Sequence, residues 1–501
     1  MSKDESIWSG VRSAMPPLGL LSIASFIESN GFRPGFIDIH VERLSVNALL
    51  KHLMGFMPDI VGVTCMTGSS NAAHVIADCV KQAARECLVV FGGIHAEALP
   101  VETLRHLSVD VIVRGDGEET FLELCRAETA FEQIAGISYR SGGSIIHNPA
   151  RAVEMNLSKY PMPAYHLAPM EKYYPALGAY RRLPAINMLM TRGCPGKCAF
   201  CNSARTTLRS RDVAQVVEEI RYLRETYGIR EIQFYDDTFT VMKRTVMEFC
   251  ELMQEANLDV SWAAFVRSDC FSEQMAVAMK RAGCHQIMMG VESGDNEVLR
   301  LLGKPIDREQ TKKAIHISRK VGLTNRAAFI FGNRGETTAT MQKTLDFSME
   351  LDPDLAQYSV CTPYPGTQLY QWASENGYLV SEEWSDYELS TFLMELPTLN
   401  TEDLYRFYKH AHRSFYFRPR ILWRQLVRST RLSHVMDLIH AFFFIVLRTK
   451  VGRRSEARRD WMHHRKENFF DIEVKHKTTP ILTYVARQEG QVPELIDNLA
   501  L

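Results

Sequence analysis

Between Pro16 and about residue 150 the apolar positions follow two alternating rhythms. LGLLSIASFIESNGF carries helical spacing and stops at Gly31, GFIDIHV reads as a strand, and VNALLKHLMGFM as a second helix. DIVGVTCM is a short, continuously apolar run of the kind found in buried parallel strands. SSNAAHVIADCVKQAAREC predicts a helix opened by a serine or asparagine cap. LVVFGG then predicts a strand running into paired glycines, VDVIVRGDGE a strand with its loop, and ETFLELC a further helix. Strands alternating with helices predict a doubly wound α/β sheet whose ligand face lies at the strand ends. Nothing before Pro16 looks like the strand that ordinarily begins such a sheet.

Residues 130 to 185 are mixed: a short hairpin (ISYRSGGSIIHN) precedes a proline-bearing linker (YPMPAYHLAPMEKYYPALG). A second α/β run follows, with strands in INMLMTRG, IREIQFYDDTF, DVSWAAFVRSD, CHQIMMGVESG, TNRAAFIFG and DLAQYSVCTPYPG. Helical segments such as DVAQVVEEIRYLRETYG and DREQTKKAIHISRKVG separate them. Six such units predict a complete or partial (β/α)6 barrel with its chemistry at the C-terminal strand ends. After about residue 400 the chain becomes helical, aromatic and basic, and the last thirty residues carry little signal. The expected division is a Rossmann-like domain over 1–145, a linker over 146–185, a barrel over 186–385 and a basic helical region over 386–501.

A length of 501 residues agrees with two or three domains. The formal charge of -1 gives no global reason to expect a nucleic-acid partner. Eleven cysteines without regular spacing do not form a disulfide framework and suit a reducing compartment. MSKDESIWSGVRSAM has no apolar core of a signal peptide, and the late run AFFFIVL is far shorter than a membrane span. A cytoplasmic enzyme is the expectation, and the basic, aromatic C-terminal helices leave three options open. They pack on the barrel, cover an acidic substrate, or touch an anionic membrane surface peripherally.

The sharpest chemistry lies in CPGKCAFC, where Cys194, Cys198 and Cys201 fall within eight positions. Structural zinc wants four ligands, and the fourth would have to come in space from Cys250, Cys270, Cys284 or a histidine. An iron–sulfur cluster suits the set better: three thiolates hold three irons of a four-iron cluster and leave the fourth open.

CPGKCAFC resembles the CxxxCxxC signature of radical S-adenosylmethionine (SAM) enzymes. YDDTF (Tyr235 to Phe239) looks like that family's acidic motif at the second strand end, near the amino group of bound SAM. GVESG, with Glu292 and Ser293, resembles the motif after the fourth strand that approaches ribose and carboxylate. NEVLRLLGK and TPYPGTQLY are also typical. The resemblance implies that SAM chelates the open iron of a [4Fe-4S] cluster and is cleaved, after electron delivery by flavodoxin or ferredoxin, to a 5′-deoxyadenosyl radical. It also suggests roles for Asp236 and Asp237 on the ammonium, Glu292 on a ribose hydroxyl and the Phe200 backbone beside adenine. Arg267 points to the same rim, to meet a carboxylate or to pair with Asp269.

PPLGLLSIASFIESNG, GVTCMTG, VVFGGIHAEALP and VDVIVRGDGEETFLEL resemble the cobalamin-binding domain preceding the barrel in one radical SAM subclass. Gly68, Gly92, Gly93, Gly115 and Gly117 at strand ends would let backbone approach a large flat cofactor. His95 faces a corrin edge or satisfies a loop carbonyl. His40 lacks the Asp-x-His-x-x-Gly context of a cobalt ligand, because Arg43 stands where the glycine would be. The resemblance implies methyl transfer to an unactivated carbon of a small molecule (a lipid, tetrapyrrole or natural-product intermediate). Cyclisation, ring contraction or oxidation with the same cofactors is the alternative. A methylthiotransferase lacks support in the sequence, and a non-catalytic corrin or zinc module is the rival from another class.

Overall fold

The computed structural model describes residues 13–126, 131–176, 178–428 and 481–486, which divide into two compact units. One comprises residues 16–154, 158–172 and 481–486; the other comprises 173–428 with 13–15 and 155–157. The proline-bearing stretch is thus shared between the two.

The first unit is built on β1 (Arg33–Asp38), β2 (Ile60–Thr64), β3 (Leu88–Gly92), β4 (Val111–Val113), β5 (Ile137–Ser141) and β6 (Ser144–His147). Side chains alternate across this sheet, which is why each strand feeds two cores. Val61, Val63, Val89, Phe91 and Ile112 pack with Leu53, Ile76 and Val80 on one face. Ile60, Val90, Val111 and Val113 pack with Ile27, Phe121 and Leu122 on the other. The helix over Ser70–Ala83 has a serine, Ser69, at its N-cap, but that hydroxyl donates to the Met66 carbonyl and makes no capping bond to the helix.

The gap at the head of the sheet is filled from the far end of the chain. A strand at Ile481–Ala486 (β15 in chain order) lies between β1 and β2, antiparallel to both, giving the order β1-β15-β2-β3-β4-β5-β6. Thr483 stands opposite Phe36 on one side and Gly62 on the other. The tail that carries little sequence signal therefore supplies an interior strand.

The second unit holds β7 (Ala185–Met188), the two-residue strands β8 (Thr191–Arg192) and β9 (Arg209–Ser210), and then β10 (Glu231–Phe234), β11 (Ser261–Val266), β12 (Cys284–Glu292), β13 (Thr324–Phe331) and β14 (Leu355–Val360). β7 and β10 to β14 pair in parallel and in sequential order. Among the described residues β7 and β14 do not pair with each other, so the barrel is partial, as the pattern predicts. Intervening helices begin on side-chain caps from Asp212, Ser272, Asp307 and Thr337. Phe234, Phe239, Phe249 and Trp262 form one aromatic core between sheet and helices, their ring centroids 4.9–6.2 Å apart.

Helix Thr401–Tyr416 buries Ala411 and Phe415, and Tyr416 donates to the Ala356 carbonyl of β14. Arg418 and Arg424 pair with Asp352 at 3.0 and 2.8 Å. Packing against the barrel is thus what these basic residues do. AFFFIVL and the remainder of that basic stretch lie outside the described residues.

A proline inside β15 tests the inserted strand. Thr483→Pro removes a backbone donor between two neighbouring strands and is expected to cost about 3 kcal/mol or more. A lowered melting transition with impaired corrin uptake is the expected result of thermal and absorbance titrations.

Candidate active site

The cysteine loop leaves the end of β7 and is fixed by a carboxylate from the next strand. Asp236, fully buried, accepts from the backbone N–H groups of Met190 (3.2 Å) and Thr191 and from the Thr191 hydroxyl (2.6 Å). Burial raises its pKa to about 6, although these hydrogen bonds pull the other way. The next residue behaves differently: Asp237 is exposed, and its charge acts on Cys201. Tyr235 lines the barrel lumen, and Phe239 sits in the aromatic core. The acidic motif therefore serves four places at once.

Within the loop, Thr206 N–H donates to the Cys194 carbonyl and Arg205 N–H to that of Gly196. Gly193 has φ +92°, and a Cβ there would lie 2.2 Å from the Thr207 carbonyl oxygen, so no other residue fits. Two later segments clamp the loop. Ala199 N–H donates to Leu302 (2.8 Å), and Leu369 N–H to the Ala199 carbonyl (2.9 Å). Asn202 donates to Pro365, and a Cβ on Gly303 would strike the Lys197 carbonyl oxygen. LLGK and TPYPGTQLY are thus walls of the cysteine loop.

Cys194, Cys198 and Cys201 are all free thiols and partly accessible; burial pushes the latter two up from the ordinary thiol pKa. Of the candidate fourth ligands, Cys250 and Cys284 are buried in the protein core, and Cys270 neighbours Arg267 and Asp269. A fourth ligand for tetrahedral zinc would have to come from these thiols or a histidine. A three-thiol set on an accessible loop fits a four-iron cluster with one open iron. Phe200 is half-buried in the same turn.

Glu292 ends β12 with φ +67°, a left-handed conformation costing a non-glycine residue about 1 kcal/mol. Its carboxylate pairs with Lys304 at 2.7 Å, and the Lys304 ammonium also reaches the Gly290 carbonyl at 2.5 Å. Both charges act on Cys198. Ser293, by contrast, is fully buried and bonded to Thr344. Arg267 makes a bidentate pair with Asp269 (3.1 and 2.7 Å) and also lies against the loop, 3.2 Å from where a Cβ on Gly196 would stand. Of the two sequence readings of Arg267, the pair with Asp269 is the one the geometry shows.

Sequence reasoning passed over Lys304, Glu336 and Arg326. Glu336 follows β13, accepts from Gly332 (2.7 Å) and Asn333 (2.9 Å) N–H groups, and is raised by burial to about 8. An acid in a glycine-flanked loop, FGNRGET, after a strand was the available signal.

In the first unit a Cβ on Gly92 or Gly115 would project into open space, leaving both strand ends bare. Gly68 lies in the turn Thr67–Ser69, and the buried Ser70 hydroxyl beside it has no hydrogen-bond partner among the described residues. Gly93, at φ +97°, packs on the Cys65 backbone, and Gly117 packs on Ile23. Bare strand ends and an unsatisfied hydroxyl fit a broad cofactor. The His95 ring is instead 1% exposed, and its backbone N–H donates to Cys65. Asp38 spends its carboxylate capping the short helix that contains His40.

A thiol loop at the strand ends of a parallel partial barrel, joined in one chain to a glycine-edged Rossmann-like unit, is the layout of a radical enzyme with a second cofactor-binding unit. Residues 188–348 match the Radical SAM superfamily and residues 9–125 the B12 binding domain. An uncharacterized methyltransferase of Pyrococcus horikoshii is 36% identical over 82% of this chain and 90% of its own length. The anaerobic magnesium-protoporphyrin IX monomethyl ester cyclase of Rubrivivax gelatinosus is 26% identical over 85% of this chain and 78% of its own. Among solved structures, TsrM of Kitasatospora setae superposes with a TM-score of 0.66 at 18% identity, covering 79% of this chain and 87% of that one. OxsB superposes at 0.67 and 16%, covering 92% and 74%. The chain belongs to the cobalamin-binding radical SAM family, and a [4Fe-4S] cluster, SAM and cobalamin are its cofactors.

Two measurements probe this arrangement. Lys304→Met strands a nearly buried Glu292 carboxylate and is expected to destabilise the protein by roughly 3 kcal/mol, with Glu292→Gln/Lys304→Met recovering most of it in denaturant titrations. In the first unit His74 stacks on Phe91 and His106 (5.6 and 4.6 Å) near Asp78. Burial lowers both His74 and His95 to about 4. Their neutral forms are favoured in the fold, so their stability contribution is complete above pH 6.5 and lost as pH falls from 6.5 towards 4. Melting temperature should fall over that window, and less steeply in His74→Gln.

Proposed function

We propose that the protein transfers a methyl group to an unactivated carbon of a small molecule. The observation that carries the reading is the pairing, in one chain, of three free thiols at barrel strand ends with bare glycine strand ends in a B12-binding fold. The choice of methyl transfer draws on the relative at 36% identity, named as a methyltransferase, and on the cytidylyl-2-hydroxyethylphosphonate methyltransferase of Streptomyces wedmorensis at 26%. The cyclases at 26–27% support the second reading, ring chemistry with the same cofactors.

When bound, the cluster and SAM supply a hydrogen-abstracting radical, and cobalamin carries the methyl group. Cys194, Cys198 and Cys201 would hold the cluster, and Gly92 and Gly115 would admit the corrin. Asp237, unlike Asp236, has a free carboxylate for the SAM ammonium. Glu292, aimed by Lys304, has a second oxygen for ribose, and the Phe200 backbone lies in the turn an adenine would approach. Arg267, steadied by Asp269, supplies positive charge beside Cys194. Glu336 stays protonated at neutral pH and offers an O–H donor. An external flavodoxin or ferredoxin would deliver the electron, and no nucleic acid is needed. Among the described residues no helix is long and apolar enough to cross a membrane; we place the enzyme in the cytoplasm, with peripheral membrane contact as the further option.

Anaerobic reconstitution with iron, sulfide, hydroxocobalamin and dithionite tests this. A four-iron absorption, a corrin spectrum and both 5′-deoxyadenosine and S-adenosylhomocysteine are expected from SAM. Replacing the three cysteines by alanine should abolish iron and deoxyadenosine while leaving corrin uptake. Deoxyadenosine without S-adenosylhomocysteine would favour ring chemistry; zinc alone in the loop would overturn the radical reading.

A further inference from the structure

The lumen of the partial barrel encloses a cavity of about 310 Å³, and its wall carries one charge. Because strand side chains alternate, the lumen-facing positions include Gln233 of β10 and Tyr235 just after it, Phe265 of β11, Met288 of β12, Arg326 of β13 and Gln357 of β14. Apolar groups and amides make up the rest. Arg326 is half-buried, and among the described residues it forms no ion pair and no hydrogen bond. Three cations near the cysteine loop are matched by carboxylates: Arg267 by Asp269, Lys304 by Glu292, and Arg211 by Glu219. Desolvation lowers the Arg326 pKa, which reports the same lack of a counter-charge.

An unmatched guanidinium in a protein interior costs free energy that a salt bridge or a ligand must offset. The cavity wall contains no carboxylate to do so. Two further donors face the same space without a hydrogen bond among the described residues, the Tyr235 hydroxyl and the Gln357 amide. Arg326 also lies five residues before the C-terminal end of β13, roughly 16 Å below it at strand rise. The cation is therefore set back from the end of its own strand, in register with Met288 of β12 and Phe265 of β11.

We propose that Arg326 anchors an oxyanion, a carboxylate or phosphoryl group, of a substrate whose apolar body lies along Phe265 and Met288. This rests on the radical SAM reading and adds the substrate class: an organic acid entering the lumen with its charged end leading. Arg326 is a binding residue here, and Tyr235 links its subsite to the strand end that carries Asp237.

Benzoate, phenylphosphate and neutral benzamide are suitable probes for the reconstituted full-length protein, with binding followed calorimetrically and inorganic phosphate as a body-less control. At least one of the two acids is expected to bind tenfold or more tightly than benzamide, and which one does so separates carboxylate from phosphoryl recognition. Arg326→Gln should erase that preference while leaving benzamide and SAM affinities unchanged, and Arg326→Lys should retain part of it. Should Arg326→Gln fail to fold, the lysine variant and the acid–amide comparison on the unaltered protein carry the test. Equal binding of acid and amide, acid binding that survives Arg326→Gln, or a tenfold loss of SAM affinity in that variant would each overturn the assignment. The last outcome would give the anion to SAM itself. Deoxyadenosine formation without substrate reports separately on the radical reading: its loss in the unaltered protein would sink that reading and leave the acid-binding result standing.

Discussion

One buried carboxylate fixes where the chemistry can take place. Asp236 reaches from the end of β10 to the backbone of Met190 and Thr191, where the chain turns out of β7 into the cysteine loop. Two adjacent strand ends are thereby locked in register beyond the last ladder hydrogen bond. A carboxylate so placed resists protonation only because three donors compete with its desolvation, and its pKa of about 6 records that balance. Everything that follows along the loop, from Gly193 to Cys201, inherits its position from that bond. The loop has no secondary structure of its own to hold three thiols apart.

The second support comes from sequence far downstream. Leu302 and Gly303 meet the loop on one side, and Pro365 and Leu369 on the other. These contacts explain why a glycine ends the helix after β12 and why a tight turn follows β14. They also explain how the left-handed backbone at Glu292 is tolerated. Its conformational cost is offset by a nearly buried ion pair with Lys304, the residue directly after the glycine that abuts the loop. Strain, ion pair and loop clamp form one unit, so a change in any of them reaches Cys198.

The strand–helix alternation and the three cysteines were legible because they are local: periodicity and spacing survive in one dimension. YDDTF was legible as a motif but not as a division of labour. Two neighbouring aspartates look alike in sequence, and only the fold sends Asp236 inward and Asp237 outward. His95 in GGIHAE gave no hint that its ring is buried beside His74. β15 was illegible for another reason: six residues pair with strands more than four hundred positions earlier, a contact no local pattern encodes. Arg326 is the same case in side-chain terms. TNRAAFIF reads as an ordinary strand with one charge, and the lack of a counter-charge exists only once five strands line the space around it.

Charge is handled in opposite ways at the two levels of the barrel. At the rim Arg267 and Lys304 each have their own carboxylate. Those pairs need no substrate charge to hold their shape. Deeper in the lumen the balance is left open at Arg326. An unmatched charge there makes affinity depend on what the ligand brings, whereas matched pairs at the rim make geometry independent of it. On the proposed role of Arg326, selection among substrates would belong to the lumen wall, and generation of the reactive species to the cysteine loop. The two are joined through the end of β10, where Tyr235 faces the cavity while the next two residues fix the loop and act on Cys201.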